Sequence, residues 1–228
     1  NEIYSITPNY YKEKLKIFLP DTVILFGKEV KYKNKLLICV EGQNDINFLK
    51  NINNIKELKK IINISISKNI EFYELGGGKL EKFVKEYKLK ETNIVELHIY
   101  DSDKGSGKNE NKYEKQLNLI KNRNDKSFCF ITKKRELENY IPKRLIENEF
   151  NVNMAEIKHE NWDETDIPTF LKGKTQFKDF DKKEEELKIK QFLNGSLSKK
   201  ITKKDLEELN AFDEIKSWFE KIKELSSF

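Results

Sequence analysis

Four short apolar runs, each too short for a helix, constrain this chain more than any other feature of its sequence. Leu36 to Val40 reads LLICV, a continuous hydrophobic run with polar flanks, the pattern of a parallel strand covered on both faces. Glu71 to Leu75, Ile94 to Tyr100 and Ser127 to Thr132 are the other three. Helical spacing lies between them: Ile46, Phe48 and Leu49 after the first run, Leu80, Phe83, Val84 and Tyr87 after the second, and Tyr113, Leu117 and Ile120 after the third. Strands alternating with helices predict βαβ crossovers and a mainly parallel four-stranded sheet.

Beyond residue 150 the pattern is helical. Lys182 to Leu193 carries Leu187, Phe192 and Leu193 as its apolar positions, and Thr202 with Asp205 forms an [ST]-x-x-[DE] helix start. From Asp213 onward Ile215, Trp218, Phe219, Ile222 and Leu225 recur at intervals of three and four, a face to be packed on the sheet or docked on a partner. Gly173 to Asp181 and Asn194 to Ser198 read as loops. The expected division is an N-terminal extension (1–35), an α/β domain (36–150) and a mainly helical C-terminal appendage (151–228).

The 228 residues carry 44 Lys+Arg against 39 Asp+Glu, a net charge of +5. The balance is uneven: residues 1–150 hold +7 and residues 151–228 hold −2, a mild leaning of the front part toward polyanions. No apolar stretch approaches the roughly 18 residues of a membrane helix and no signal-peptide core is present, so a cytoplasmic protein without a membrane partner is expected. Cys39 and Cys129 lie inside strand-like runs, which suits buried thiols and excludes a disulfide framework or a cysteine-based zinc site.

Ligands of open parallel sheets bind beyond the carboxyl ends of the strands. Glu41 ends the first strand, and Asp101 and Asp103 end the third. The i, i+2 spacing of the aspartates lets an extended backbone aim both into one space. Gathered carboxylates repel unless a cation sits among them, and hard oxygen ligands suit Mg²⁺ or Mn²⁺. Asp45, four residues after Glu41, reads either as a first-turn residue favoured by the helix dipole or as a further ligand. The Asp101 loop is no EF-hand, because Ser106 and Lys112 stand where glycine and glutamate are required. Gly76-Gly77-Gly78-Lys79 is no Walker motif, because Leu80 follows the lysine; it reads as a helix N-terminus against a backbone phosphate. His98 reads as a hydrogen-bonded structural histidine, with contact to a scissile group as the alternative. Tyr73, Tyr100 and Tyr140 belong either to the core or to base stacking.

Val40-Glu41-Gly42-x-x-Asp45-x-x-Phe48-Leu49, the glycine turn at 76–78 opening a helix, and Asp101-Ser102-Asp103 closing a hydrophobic strand together resemble the Toprim domain. Topoisomerases, bacterial primases, a ribosomal RNA maturase and the OLD nucleases share it. Lys134-Arg135-Glu136-Leu137-Glu138-Asn139-Tyr140-Ile141-Pro142 is similar to the segment after the fourth strand in OLD-type and phage-defence Toprim proteins, including the Toprim effector of the PARIS system. The resemblance covers residues 36–150.

It implies a Rossmann-like Toprim sheet and a Mg²⁺- or Mn²⁺-dependent endonuclease with two ions, the effector of an antiphage system. Glu41 matches the glutamate that binds metal or acts as general acid/base, Asp101 and Asp103 the metal-binding aspartates, and Asp45 a further ligand. Lys134 matches a lysine that stabilises the pentavalent phosphate, and Glu138 a glutamate that orients a ligand or binds the second ion. Lys79, Arg135 and Arg144 are expected on nucleic acid. The implied partner is a nucleic-acid substrate, tRNA or DNA; no P-loop domain precedes the Toprim region, so any ATPase is expected to be a separate partner chain or absent, and a homo-oligomer stays open. The rival readings are an RNA-maturation or primase-like enzyme, and a non-catalytic Toprim subunit regulated by an ATPase.

Overall fold

The structure is a computed structural model, and it describes residues 23–26, 29–32, 36–87, 94–107, 112–123 and 125–227. An antiparallel hairpin of β1 (Val23–Phe26) and β2 (Glu29–Tyr32) comes first, with Val23 opposite Tyr32. Then follow β3 (Leu36–Val40), α1 (Gln43–Ile52), α2 (Lys56–Ile61), β4 (Ile70–Glu74), α3 (Gly77–Glu86), β5 (Val95–Tyr100), α4 (Glu114–Lys121) and β6 (Phe128–Ile131). β3 to β6 form one sheet, parallel throughout, in the order β4-β3-β5-β6. The fold is α/β with a Rossmann-like sheet, and each expected strand lies within a residue of its observed bounds.

That strand order contains a reversal. The chain steps from β3 outward to β4, then crosses back to place β5 on the other side of β3. The crossovers therefore diverge at the carboxyl ends of β3 and β5, where such sheets open a crevice. Glu41 and Asp101 are the residues that leave those two strands.

Period-two alternation divides the core between the faces of the sheet. Leu36, Ile38 and Val40 of β3, with Leu97 and Ile99 of β5, join the cluster that contains Phe48, Leu49, Ile52 and Leu58 of α1 and α2. Leu37 and Cys39 face the opposite way, toward Leu80, Phe83 and Val84 of α3 and Ile120 of α4. Both cysteines are free and buried. On this second face β5 is polar: His98 is fully buried between Glu96, 2.8 Å from its Nε2, and the Tyr100 hydroxyl. Arg123 donates to Glu96 Oε2 at 2.5 Å. His98 is thus a hydrogen-bonded structural histidine, fully buried inside an ion-paired core network. Tyr100 and Tyr140 are core residues, with 1% and 0% exposure.

The C-terminal region covers the first face. It comprises a 3₁₀ turn (Leu137–Tyr140), α5 (Lys143–Phe150), a second 3₁₀ segment (His159–Glu164), α6 (Ile167–Leu171), α7 (Lys182–Phe192), α8 (Lys203–Glu208) and α9 (Phe212–Ser226). The predicted capping box at α8 is present, with Thr202 and Asp205 bonding each other's backbone amides at 2.9 and 3.3 Å. The stripe of α9 packs on β3, β5 and α2, and Ile215, Trp218, Phe219 and Ile222 lose all exposure. Each such burial is worth roughly 1.5–3 kcal/mol. Trp218 also meets Tyr140 edge-on at 5.6 Å.

Two expectations about α7 need correction. Leu187 is half exposed, and the buried line of this helix runs through Glu185, Ile189 and Leu193 instead. Asn194 to Ser198 is no loop: Leu193–Leu197 continues the helix as a π turn, because Leu193 and Leu197 are core and the Asn194 side chain is bonded inside the protein.

Candidate active site

The crevice is built by the backbone that leaves each strand. Beyond β3, Gly42 enters α1 with its N–H donating to Asp45 Oδ2 at 2.9 Å, so the Asp45 carboxylate caps the helix that carries it. Beyond β4, Leu75 N–H bonds Val40 O at 3.0 Å and Gly76 N–H bonds Glu41 O at 2.9 Å. That turn requires φ 62° at Gly76, a value that favours glycine. Beyond β5, Ser102 N–H donates to Thr132 Oγ1 at 2.9 Å, the Ser102 hydroxyl to Lys134 O at 2.7 Å, and Asp103 N–H to Arg135 O at 3.0 Å. The acidic loop is thereby laced to the segment that follows β6.

Asp101 and Asp103 do not share an extended backbone. β5 stops at Tyr100, and Asp103 takes a left-handed conformation with φ 52°, so the two carboxylates are presented by a turn. Asp103 reaches Glu41 through Lys112, whose Nζ lies 3.3 Å from Asp103 Oδ2 and 3.6 Å from Glu41 Oε2. Asp101 instead feels Asp45, Glu41, Glu138 and Glu136. Desolvation first, and then those four charges, hold its carboxyl well above the usual range. Asp45 is pushed up to about 7 by desolvation and by Glu41, against the pull of the Gly42 amide and Lys190.

Glu138, in the 3₁₀ turn, is buried and accepts a hydrogen bond from Asn194 Nδ2 at 2.8 Å. Burial raises its pKa while Lys190 opposes the rise. Glu136 is pushed up to about 7, by burial first and then by Glu138. The cation on this side is Lys190 of α7, with Nζ 3.1 Å from Glu136 Oε2. Burial pulls its pKa down, but Glu138, Glu136 and Asp101 outweigh that and hold the ammonium above its ordinary value.

Five expected residues, Glu41, Asp45, Asp101, Asp103 and Glu138, therefore lie within electrostatic reach of one another, Asp103 through the shared Lys112. The expected cations are engaged mainly with other partners, Arg135 alone keeping a long contact here, with Nε 3.9 Å from Glu136 Oε1. The Lys134 ammonium is buried and bonds Asp163. Neither a contact with the carboxylates nor the i, i+4 pairing with Glu138 forms, because residues 133–136 are not helical. Arg135 donates to the carbonyl of Lys104 at 3.1 Å and to Asp166 at 3.3 Å. Arg144 grips both oxygens of Asp205, at 2.8 and 2.6 Å. Lys134 and Arg144 line a separate cavity of about 340 Å³ with Lys143, Trp162, Asp163 and Asp205. Lys79 starts α3, and its side chain lies outside the described residues.

Among the described residues, no three Asp, Glu, His or Cys side chains are grouped as the ligands of one ion. Some features of these residues would nonetheless suit a divalent cation. Glu41 Oε1 is buried without a hydrogen bond of good geometry, the Tyr113 hydroxyl being the neutral group that approaches this carboxylate, so the oxygen is weakly satisfied for a buried polar atom. Asp101 is crowded by like charge that an added cation would offset. The donors are hard oxygens, which suit Mg²⁺ or Mn²⁺.

Sequence reasoning misses Lys190, Glu136, Lys112 and Asn194. Lys190 and Asn194 sit beside the buried Ile189–Leu193 line, which emerges only when α7 is given the correct face. Compared with known proteins, the chain matches no family model, no curated protein and no solved structure.

Proposed function

We propose that this chain is a metal-dependent nuclease with a Toprim-type active site, hydrolysing phosphodiester bonds of RNA or DNA. The observation that carries this reading is the position of Glu41 and Asp101: they leave neighbouring parallel strands at the point where the strand order reverses, with the Glu41 carboxylate facing the Tyr113 hydroxyl and the Lys112 ammonium. Asp45, Asp103 and Glu138 surround them.

Glu41, Asp45, Asp101 and Asp103 are the side chains that would hold Mg²⁺, which when bound supplies an acidified water and charge on the leaving oxygen. The chain's own groups do the rest. Asp45 is oriented by the Gly42 amide. Lys190, 3.1 Å from Glu136, offsets the charge of Glu136 and Glu138. Lys134 serves a different purpose from the one its position in the sequence suggests: paired with Asp163, it secures the segment that holds Ser102 and Asp103.

The likeness of Lys134–Pro142 to phage-defence Toprim proteins supports a role as the effector of a bacterial antiphage system. A non-catalytic subunit docked to an ATPase through the α9 stripe is disfavoured, because that stripe is covered by the sheet. Magnesium-dependent shortening of a panel of tRNA, single-stranded and duplex DNA tests the proposal. Cleavage by the native chain that Glu41→Ala abolishes is the expected result; unchanged cleavage by Glu41→Ala overturns it, and incorporation of nucleotides in place of shortening points to the primase-like alternative.

A further inference from the structure

We infer that the cavity of about 340 Å³ between α5, α8 and the second 3₁₀ segment is a binding site for a nucleoside monophosphate, with the phosphate at the α5 end and the base at the α8 end. The inference goes beyond the nuclease reading and does not rest on it: none of Glu41, Asp45, Asp101, Asp103 and Glu138 lines this cavity.

The volume is at the lower end of small-molecule sites, which run to roughly 300–1,000 Å³. One wall supplies three cations, Lys134, Lys143 and Arg144. The Lys134 side chain is only 5% exposed, and its ammonium meets one carboxylate, that of Asp163. The Lys143 ammonium lies over the Trp162 ring at 5.2 Å and donates to the Ile157 carbonyl, with no carboxylate paired to it among the described residues. Arg144 spends Nε and Nη2 on Asp205 at 2.8 and 2.6 Å. An ammonium has three donors and a guanidinium five, so each of the three cations keeps donors in reserve.

The carboxylates of the lining do not use that reserve. Asp205 is saturated, because Thr202 also donates to it from its N–H at 2.9 Å and its hydroxyl at 2.7 Å. Asp163 answers Lys134, and Glu208 has Lys204 3.6 Å away on the outer side of α8. The first turn of α5 adds to the donors. This helix of eight residues begins with no side-chain cap and no acid in its first turn, so the Lys143 and Arg144 amides remain donors at the positive end of its dipole. A phosphate, with three acceptor oxygens and up to two charges, uses such a set more fully than a carboxylate does.

The far wall is different. Glu208, Leu209 and Asn210 end α8, and Asn210 is turned into the left-handed region with φ 52°. Its side chain offers an amide donor and acceptor beside the Glu208 carboxylate. Half-buried Leu209 and buried Pro142 supply apolar surface. A flat apolar ring with a polar edge is the group that such a wall suits, and a nucleoside monophosphate joins that group to a phosphate.

Calorimetric titration of the full-length chain in EDTA tests the inference, with the adenosine, cytidine, guanosine and uridine monophosphates, adenosine and inorganic phosphate as probes. One monophosphate is expected per chain, held more tightly than adenosine or inorganic phosphate. Lys143→Gln should weaken it about tenfold, as loss of one charge-assisted hydrogen bond would. Asn210→Gly, which keeps the positive φ without strain, should weaken the nucleotide and leave inorganic phosphate unchanged. A 5′-phosphorylated oligonucleotide separates the two sources of this chemistry: equal or tighter binding, again sensitive to Lys143→Gln, assigns the site to a strand terminus, and exclusion assigns it to a free nucleotide. No saturable binding up to about 10 mM overturns the inference, as does binding that Lys143→Gln leaves unchanged. Should Lys143→Gln fail to fold, the native titration and Asn210→Gly decide.

Discussion

Lys112 Nζ lies 3.3 Å from Asp103 Oδ2 and holds that carboxylate beside Glu41, occupying the rim where a divalent ion would enter. Lys112→Met is therefore expected to tighten Mn²⁺ binding about two- to fivefold, the equivalent of about 0.5–1 kcal/mol for an exposed ion pair. Calorimetric titration of the two proteins at low salt checks this. Weaker binding by Lys112→Met would mean that the lysine organises the carboxylates and does not compete for them.

Asp101 is kept above its ordinary pKa by desolvation and by four neighbouring carboxylates, so its charge opposes folding when no cation is present. Asp101→Asn should raise Tm in EDTA while abolishing metal-dependent cleavage. For a chain of this size about 1 kcal/mol corresponds to about 2–4 °C, and a shift of that order is expected. A lower Tm would show that the carboxylate is satisfied in the free protein.

The same charges set a pH dependence. Asp45 and Glu136 are pushed up to about 7, and Asp101 and Glu138 are also raised. Between about pH 4 and 7 the folded state therefore binds more protons than the unfolded chain, and these groups make stability fall as pH rises through that window. Urea midpoints in EDTA should be higher near pH 5 than near pH 8, and excess MgCl₂ should narrow the gap by stabilising the ionised form. A midpoint that rises with pH, with Mg²⁺ making no difference, would contradict the assigned crowding.

Arg123 and Glu96 form an ion pair inside the second face of the sheet, with His98 as the third member. Arg123→Met strands Glu96 and should cost about 3–5 kcal/mol. Trp218→Ala opens a cavity on the other face and should cost a similar 3–5 kcal/mol. Chemical denaturation measures both. Loss of only the C-terminal signal in Trp218→Ala, with the sheet intact, would mean that the region beyond residue 150 is an independent unit.

The sheet was legible because its strands announce themselves locally. LLICV is apolar without interruption, and β3 is buried on both faces. The carboxylates were legible for the same reason: Glu41 and Asp101 follow directly on recognisable strand ends. The cations were not, because a lysine's partner is fixed by tertiary placement. Lys134 looks like a partner for Glu138 four residues on, yet the chain turns through 3₁₀ geometry there and Lys134 meets Asp163 instead. Lys190 carries no local sign at all; it reaches Glu136 across about fifty residues, only because α7 buries Ile189 and Leu193 in place of Leu187.

The covering of the sheet by α9 also bears on how the chain is made. β6 ends at Ile131, whereas Trp218 and Phe219 arrive with α9, and Glu214 of that helix caps the Lys133 amide at 2.7 Å. At ordinary translation rates of about 5–20 residues per second, the finished strands wait on the order of 5–20 s with the face of Leu36, Ile38 and Val40 covered only in part, by α1 and α2. During that interval the nascent chain presents an apolar surface to chaperones and to its neighbours on the polysome. Glu136 cannot acquire its Lys190 counter-charge until α7 has also emerged, so this buried ion cluster closes only after most of the chain has been synthesised.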